Sequence, residues 1–487
     1  MRSGQASAGY KICILLHFRS PKSAFYYTLE AKNLHFTTLN LADSIILCYL
    51  CSQTKSPMIA ERTILEVMAE QKEELGAIRI DRWCDRMEES QFELDSPLAQ
   101  VVIGVRRSGK STICHKVLKQ ARIRYAYVNL DDDRLYDMTT ADLNVMLGCV
   151  YQLYGQDISY LLLDEIQNVE GWHLFVNRLL RTGFHVFVTG SNAKLLSSEL
   201  ATHLTGRFNE IRLYPFSFSE YCAYMRINNG GITTKATAER KAALSTYLMG
   251  GGFPELVHVR NKRAYVQGLL ETIVTKDIKL RYKLRNADAL RLIANHLVNN
   301  TCQEINYDEL TRLFGLGSAV TTKRYVSYLV QAFLVLQIHK FSFKSRIRLR
   351  ESKGYVIDTG MIANRTDVLM PENLGWRLEN VVYIELLRRC APLFHDVYYY
   401  KPSSRDKEVD FVVCNGNTPV ALYQVAFSLS QPKTYRREVS ALIKGAKDLH
   451  CESLTIITLD EGRTVVEDGY TIRIVSAVDW LLGKQDV

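Results

Sequence analysis

The sequence predicts an α/β fold, a parallel sheet covered by helices, and three observations predict it. Residues 99–103 (AQVVI) are a short apolar run, as expected of a strand buried on both faces. A glycine-rich stretch, 104–111 (GVRRSGKS), follows at once and leads into a helix-patterned segment, 112–120. Further apolar runs at 125–130, 160–163 and 184–189 recur beyond it. Strands alternating with helices pair in parallel and gather a site at their carboxyl ends.

The glycine-rich stretch matches G-x-x-x-x-G-K-[ST] in full and stands between a strand and a helix, the context the motif needs. Gly104 and Gly109 allow the backbone to turn tightly. The chain through Val105, Arg106, Arg107 and Ser108 can then aim its N–H groups at phosphate oxygens. Thr112 opens the helix, whose N-terminus favours an anion. Lys110 is expected to reach the β- and γ-phosphates, and Ser111 to ligate magnesium. ATP or GTP is therefore the expected ligand, with Mg2+ beside it.

The second half of the site is expected where the run 160–163 ends on Asp164 and Glu165. Asp164 is placed to hold the metal, directly or through water, and Glu165 to polarise the attacking water. The run 184–189 ends in Gly190, Ser191 and Asn192, so Asn192 and Ser191 are candidates for contact with the γ-phosphate or its water. Arg207, in LTGRF, could stabilise transition-state charge in cis or in a neighbouring subunit.

With 487 residues, the chain is long enough for two to four domains. No apolar run approaches the roughly 18 residues that would span a membrane. The net charge of +9 permits nucleic-acid binding without arguing for it. Eleven cysteines without a framework suit a reducing cytoplasm, and the CxxC at Cys48 and Cys51 lacks the second ligand pair a zinc site needs. Residues 1–57 carry six Lys/Arg and two Asp/Glu and show no lasting period. From Ile59 the text changes, and residues 61–74 read as an amphipathic helix with Ile64, Leu65 and Met68 on one face. The native protein is expected to start at Met58, with 1–57 a non-native or disordered extension. The stretch 58–98 is then an N-terminal helical segment, 99–215 the ATPase core and 216–289 a helical lid.

Several ordered motifs resemble one family. They are residues 104–112, LLLDEIQNVEGW at 161–172, TGSNAKLLSSELATHLTGRF at 189–208, YPFSFSEY at 214–221, GGFPELV at 251–257, VIDTGMIAN at 356–364 and EVDFVV at 408–413. Together they are similar to bacterial and archaeal AAA-superfamily ATPases that carry a C-terminal domain of unknown function. The resemblance implies an ATPase with a sensor-like Asn192 and a functional Arg207. It also implies a winged-helix module and a nuclease-like fold downstream.

Residues 290–365 have the matching pattern: helices at 290–299, 307–316 and 319–333, then strands at 334–341 and 354–357. From 321 to 350 there are seven Lys/Arg and no Asp/Glu, among them Lys323, Arg324, Lys344, Arg346, Arg348 and Arg350. This stretch could meet DNA phosphates. Residues 366–487 resemble a restriction-endonuclease-like α/β core, in which two acids hold metal and a lysine activates water. Glu379 and Asp410 are in place, but Gln424 and Ala426 stand where an acid and a lysine are needed. Lys401 or Lys407 could substitute. The expectation is a retained scaffold without efficient cleavage.

The leading reading is an ATP hydrolase that drives or gates an interaction with DNA or a protein partner, with a homo-oligomer required if Arg207 acts in trans. The alternatives are an ATP-regulated DNA nuclease and a nucleotide-gated DNA-binding regulator or scaffold with little turnover.

Overall fold

The computed structural model describes residues 59–77, 83–191, 204, 206–285, 287–344, 351–363, 374–402, 407–459 and 462–484, and the backbone of three strands before them. Those strands are β1 (Cys13–Ser20), β2 (Ser23–Glu30) and β3 (Asn33–Asn40), paired antiparallel in a sheet of their own. Paired strands thus stand inside the segment expected to be a disordered extension.

α1 (Glu61–Ala77) buries Ile64, Val67, Met68, Gln71 and Leu75, one face at helical spacing. Gln71 bonds the backbone of Asn129 in both directions, at 2.9 and 3.1 Å. The helix is thereby fixed to the nucleotide-binding core.

That core is a five-stranded sheet. Its members are β4 (Ala99–Ile103), β5 (Ala126–Asn129), β6 (Tyr160–Asp164), β7 (His185–Gly190) and β8 (Phe208–Arg212), in the order β5-β6-β7-β4-β8, all parallel. The crossovers include α2 (Lys110–Gln120), α3 (Asp142–Tyr154) and α4 (Trp172–Arg181). This is the P-loop α/β fold anticipated above. β7 lies between β4 and β6, so the tip that ends at Gly190 stands between the glycine loop and Asp164.

α5 (Phe218–Tyr224), α6 (Thr234–Gly250) and α7 (Lys262–Thr272) follow, and α7 runs into a π-helical turn at Ile273–Leu280. Next come α8 (Asp288–Asn299), β9 (Gln303–Glu304), α9 (Tyr307–Leu313), α10 (Ala319–Gln331), β10 (Val335–Lys340) and β11 (Ser352–Val356). The C-terminal part adds α11 (Leu374–Cys390), β12 (His395–Tyr400), β13 (Val409–Asn415), β14 (Thr418–Ala426), α12 (Pro432–Leu449), β15 (Leu454–Thr458), β16 (Arg463–Glu467), β17 (Tyr470–Ser476) and α13 (Ala477–Leu481).

A boundary drawn at 365 cuts through one nine-stranded sheet, ordered β16-β17-β15-β14-β13-β12-β10-β11-β9. The hairpin β10–β11 would be a free wing in a separate module. Instead β10 pairs in parallel with β12, His339 opposite Tyr398 and Lys340 opposite Tyr399. Pairing satisfies an edge that would otherwise expose unbonded backbone. One hydrophobic cluster also runs from Val101 in β4 through Leu248, Phe253 and Ile357 to Leu378 and Trp480. Among the described residues, no helix is long and apolar enough to cross a membrane.

Candidate active site

The glycine loop leaves β4 at Gly104, where a Cβ would sit 2.1 Å from the Leu213 carbonyl oxygen. Only glycine fits that approach. Gly109 precedes α2 with φ of 95°, in the left-handed region that glycine adopts without strain. Arg86, buried beneath the loop, donates to the Ser108 carbonyl at 3.3 Å and to the Tyr214 carbonyl at 2.6 Å. Its charge is met by Glu220 at 3.0 Å and Glu88 at 3.9 Å. Arg106 reaches Asp277 and Asp131, and Arg107 reaches Glu255 at 3.0 Å, so both of the loop's arginines are engaged by carboxylates.

Inside the cradle, Lys110 is buried. Its Nζ donates to the Val105 carbonyl at 3.2 Å and lies 3.8 Å from Glu165 Oε1. Ser111 Oγ donates to Asp164 Oδ2 at 2.7 Å, Tyr127 donates to the same oxygen at 3.3 Å, and Thr189 donates to Oδ1. Burial, with the charge of Glu165 beside it, pushes the Asp164 carboxyl up. Burial would raise Glu165 as well, but the charges of Lys110 and Arg106 outweigh it and hold that carboxyl below its ordinary value. Glu165 itself sits at φ 51°, a left-handed conformation fixed by its N–H bond to Thr189 at 3.1 Å. Such a backbone is uncommon for a residue with a side chain and is typical of functional sites.

The arrangement fits a nucleotide phosphate and magnesium. The buried hydroxyls of Ser108 and Ser191 have no hydrogen-bond partner, so each can serve a phosphate oxygen. Ser111 and Asp164 offer hard oxygen ligands side by side, as Mg2+ requires. Among the described residues no group of three or more His, Cys, Asp or Glu could hold a metal.

The structure separates one candidate from this cluster. Arg207 is exposed and precedes β8, whose Phe208 pairs with Ala99 and whose Arg212 pairs with Ile103. It therefore lies at the amino edge of the sheet, roughly 13 Å of strand from the loop. Arg207, a candidate in cis or in a neighbouring subunit, thus stands just before β8 at the end of the sheet opposite the glycine loop. Asn192 lies outside the described residues, as do Arg346, Arg348 and Arg350; Ser191 is buried at the tip of β7 and its N–H meets Glu165 Oε2 at 3.3 Å.

Sequence reasoning missed a cavity of about 250 Å³ against the first turn of α2. Trp83, Ile113, Phe216, Tyr224, Pro254 and His258 line it, with Gly109 and Thr112 at its mouth. It also missed Arg86. Neither has a local signal, because the contributing segments are far apart in the chain.

A second polar pocket of about 580 Å³ lies in the C-terminal part, where Glu379, Asp410, Gln424, Glu438 and Ala426 meet. Asp410 accepts from the Val425 N–H at 2.8 Å, and Gln424 donates to Glu438 at 2.7 Å. Burial and the charge of Glu379 drive Asp410 well above the carboxylate range. The lysine beside these acids is Lys353 of β11, buried and paired with Glu408. Burial opposes its charge, but Glu379, Glu408 and Asp410 hold it protonated. Lys401 lines the pocket and pairs with Glu304 at 2.5 Å, whereas Lys407 lines the neighbouring groove.

Residues 96–222 match a family profile described as an AAA domain, and residues 241–371 one described as a domain of unknown function. An uncharacterized protein of Methanocaldococcus jannaschii is 32% identical over 398 residues, covering 79% of this chain and 88% of its own. An uncharacterized protein of Haemophilus influenzae is 30% identical over 408 residues, covering 80% of this chain and 96% of its own. The RuvB Holliday junction branch migration motor of Thermotoga maritima shares 15% identity over 55% of this chain and 89% of that one. Its TM-score is 0.26, too low to bear on function.

Proposed function

The chain belongs to this family of AAA-domain proteins with a following domain of unknown function, and on that premise we propose that it hydrolyses ATP at the loop between β4 and α2. The observation that carries the reading is the Ser111–Asp164 contact at 2.7 Å with Glu165 and Lys110 facing each other beside it. The Gly104–Thr112 backbone and Lys110 bind the triphosphate. Ser111 and Asp164 would hold Mg2+, which would supply charge neutralisation for the triphosphate.

Glu165, kept ionised by Lys110 and Arg106, accepts the proton of the attacking water. The water oxygen bonds to the γ-phosphorus, the bond to the β–γ bridging oxygen breaks, and ADP leaves with that electron pair. Ser191 and Thr189 set the position of Glu165 from β7. The cavity lined by Trp83 and His258 takes the base, its apolar walls suiting the flat face of adenine. Arg207 serves the site of a neighbouring copy.

The lid supports a role for turnover in gating. Asp277 and Glu255, from segments after α6, pair with Arg106 and Arg107 of the phosphate loop. A change at the phosphates thus meets the lid directly, and through it a DNA or protein partner. A nuclease is the less favoured reading, because Ala426 supplies no water-activating group and Lys353 is committed to carboxylates. Eight described cysteines are free thiols, in keeping with a cytoplasmic protein. Binding of a fluorescent ATP analogue tests the site: Lys110→Ala should abolish it, and unchanged affinity in that variant would place nucleotide elsewhere.

A further inference from the structure

The stretch expected to meet DNA lies at 321–350, and a separate cationic surface lies in the C-terminal part. An open groove of about 750 Å³ runs between α12 and the β16–β17 hairpin, and Lys407, Arg436, Lys444, Lys447 and Arg463 line it. On α12 the residues Arg436, Ser440, Lys444 and Lys447 fall at i, i+4, i+8 and i+11, along one face. That row spans roughly 16 Å. It is the axial length of about five phosphates on one nucleic-acid strand. The floor is apolar, with Leu429, Val439 and Ile443 beside the Tyr435 ring.

The groove's acids are partly engaged. Tyr435 donates to Glu467 at 3.0 Å, and Asp468 lies 3.7 Å from Lys447. Lys444 bonds Asp448 at 2.5 Å. Arg436 and Arg463, both exposed, enter no ion pair among the described residues. Two guanidiniums therefore face solvent across a concave cationic channel. A guanidinium forks onto phosphate oxygens in a bidentate manner. A flat anionic membrane cannot enter a channel walled by a helix and a hairpin.

We propose that this groove binds the phosphodiester backbone of a nucleic acid, with Arg436 and Arg463 as its principal contacts. The groove also opens towards the acid pocket, with which it shares Ser430. The proposal names a partner for the gating reading but does not rest on hydrolysis, since the groove is built wholly from C-terminal residues.

Fluorescence anisotropy of the full chain tests it without nucleotide, so failure of the hydrolysis reading would leave the result intact. The probes are a labelled duplex of about 20 base pairs and a single strand of the same length, read from about 50 to about 200 mM salt. The double variant Arg436→Glu with Arg463→Glu should bind the preferred form about tenfold more weakly, with a log–log salt slope shallower by about two. Lys323→Glu with Arg324→Glu should bind as the parent does. Matched thermal unfolding of all three proteins shows that surface charge alone has changed. Equal affinity of the groove variant and the parent would overturn the proposal. So would loss confined to the Lys323/Arg324 variant, or binding of anionic vesicles or an acidic polypeptide with no binding of either nucleic acid.

Discussion

The Ser111 hydroxyl donates to the Asp164 carboxylate across 2.7 Å, joining the first turn of α2 to the tip of β6. Two oxygen ligands held this close share one small cation, and losing either weakens the grip on it. Ser111→Ala should raise the magnesium needed for half-maximal ATP turnover about tenfold, and a chelator should stop turnover in the parent. A magnesium titration of initial rates checks this. An unchanged requirement would remove Ser111 from the metal site.

The base cavity makes a separable prediction. Trp83 walls the cavity beside Ile113. Trp83→Ala should remove binding shared by substrate and transition state. It should raise KM for ATP about tenfold and leave kcat within about twofold. A fall in kcat at constant KM would show that the base binds elsewhere.

Much of the phosphate half was legible in the sequence, because strand, glycine loop and helix are consecutive and each carries its own local signal. Asp164 and Glu165 were legible for the same reason, at the end of an apolar run. Arg86, Trp83 and Lys353 were not, since each acts across long separations and looks locally like an ordinary turn or strand residue. The strands now seen as β10 and β11 were legible as an antiparallel pair. Their merger with β12 was invisible, because parallel pairing of distant strands leaves no local pattern. Arg207 showed a different limit: the motif drew attention to it, but only the β4–β8 register places it at the end of the sheet opposite the loop.

Two of the motif stretches, GGFPELV and VIDTGMIAN, meet in space rather than in sequence, in that Asp358 accepts from the Gly252 N–H at 2.7 Å and the Gly360 N–H at 2.8 Å. A Cβ on Gly360 would lie 2.5 Å from the Gly250 carbonyl oxygen. Gly360→Ala should therefore cost about 3 kcal/mol of stability, from overpacking and a broken buried hydrogen bond. Denaturant unfolding measures it, and a change within about 0.5 kcal/mol would mean the junction is loosely packed.

His115, buried in α2 with Nδ1 2.9 Å from the Tyr125 hydroxyl, has its pKa lowered by burial, and further by Lys119, from 6.5 to about 4. The unfolded chain then binds the proton first, so stability is full above pH 6.5 and falls as pH drops towards about 4. The loss approaches about 3 kcal/mol. Asp358, raised by burial to about 7, acts in the opposite sense, losing its contribution as pH rises through that value. Subtracting the stability profile of His115→Gln from that of the parent isolates the histidine. A flat difference between pH 6.5 and 4 would contradict the assignment.

Arg207 stands just before β8 at the end of the sheet opposite the glycine loop, a position from which the trans role is the one to test. Arg207→Ala should lower turnover about a thousandfold. Mixing it with Lys110→Ala protein should restore activity above either alone, because a mixed assembly pairs an intact loop with an intact arginine. Mixtures no better than their parts would make Arg207 a surface residue.

The central claim is that Glu165, set in a left-handed backbone against Lys110, activates water for attack on ATP. Phosphate release by the full chain, compared with Glu165→Gln at saturating ATP and magnesium, tests it most directly. The predicted result is measurable turnover in the parent, reduced by about a hundredfold or more in the variant, while ATP binding is retained. Equal turnover in the two proteins, or none in the parent with ATP bound, would contradict it.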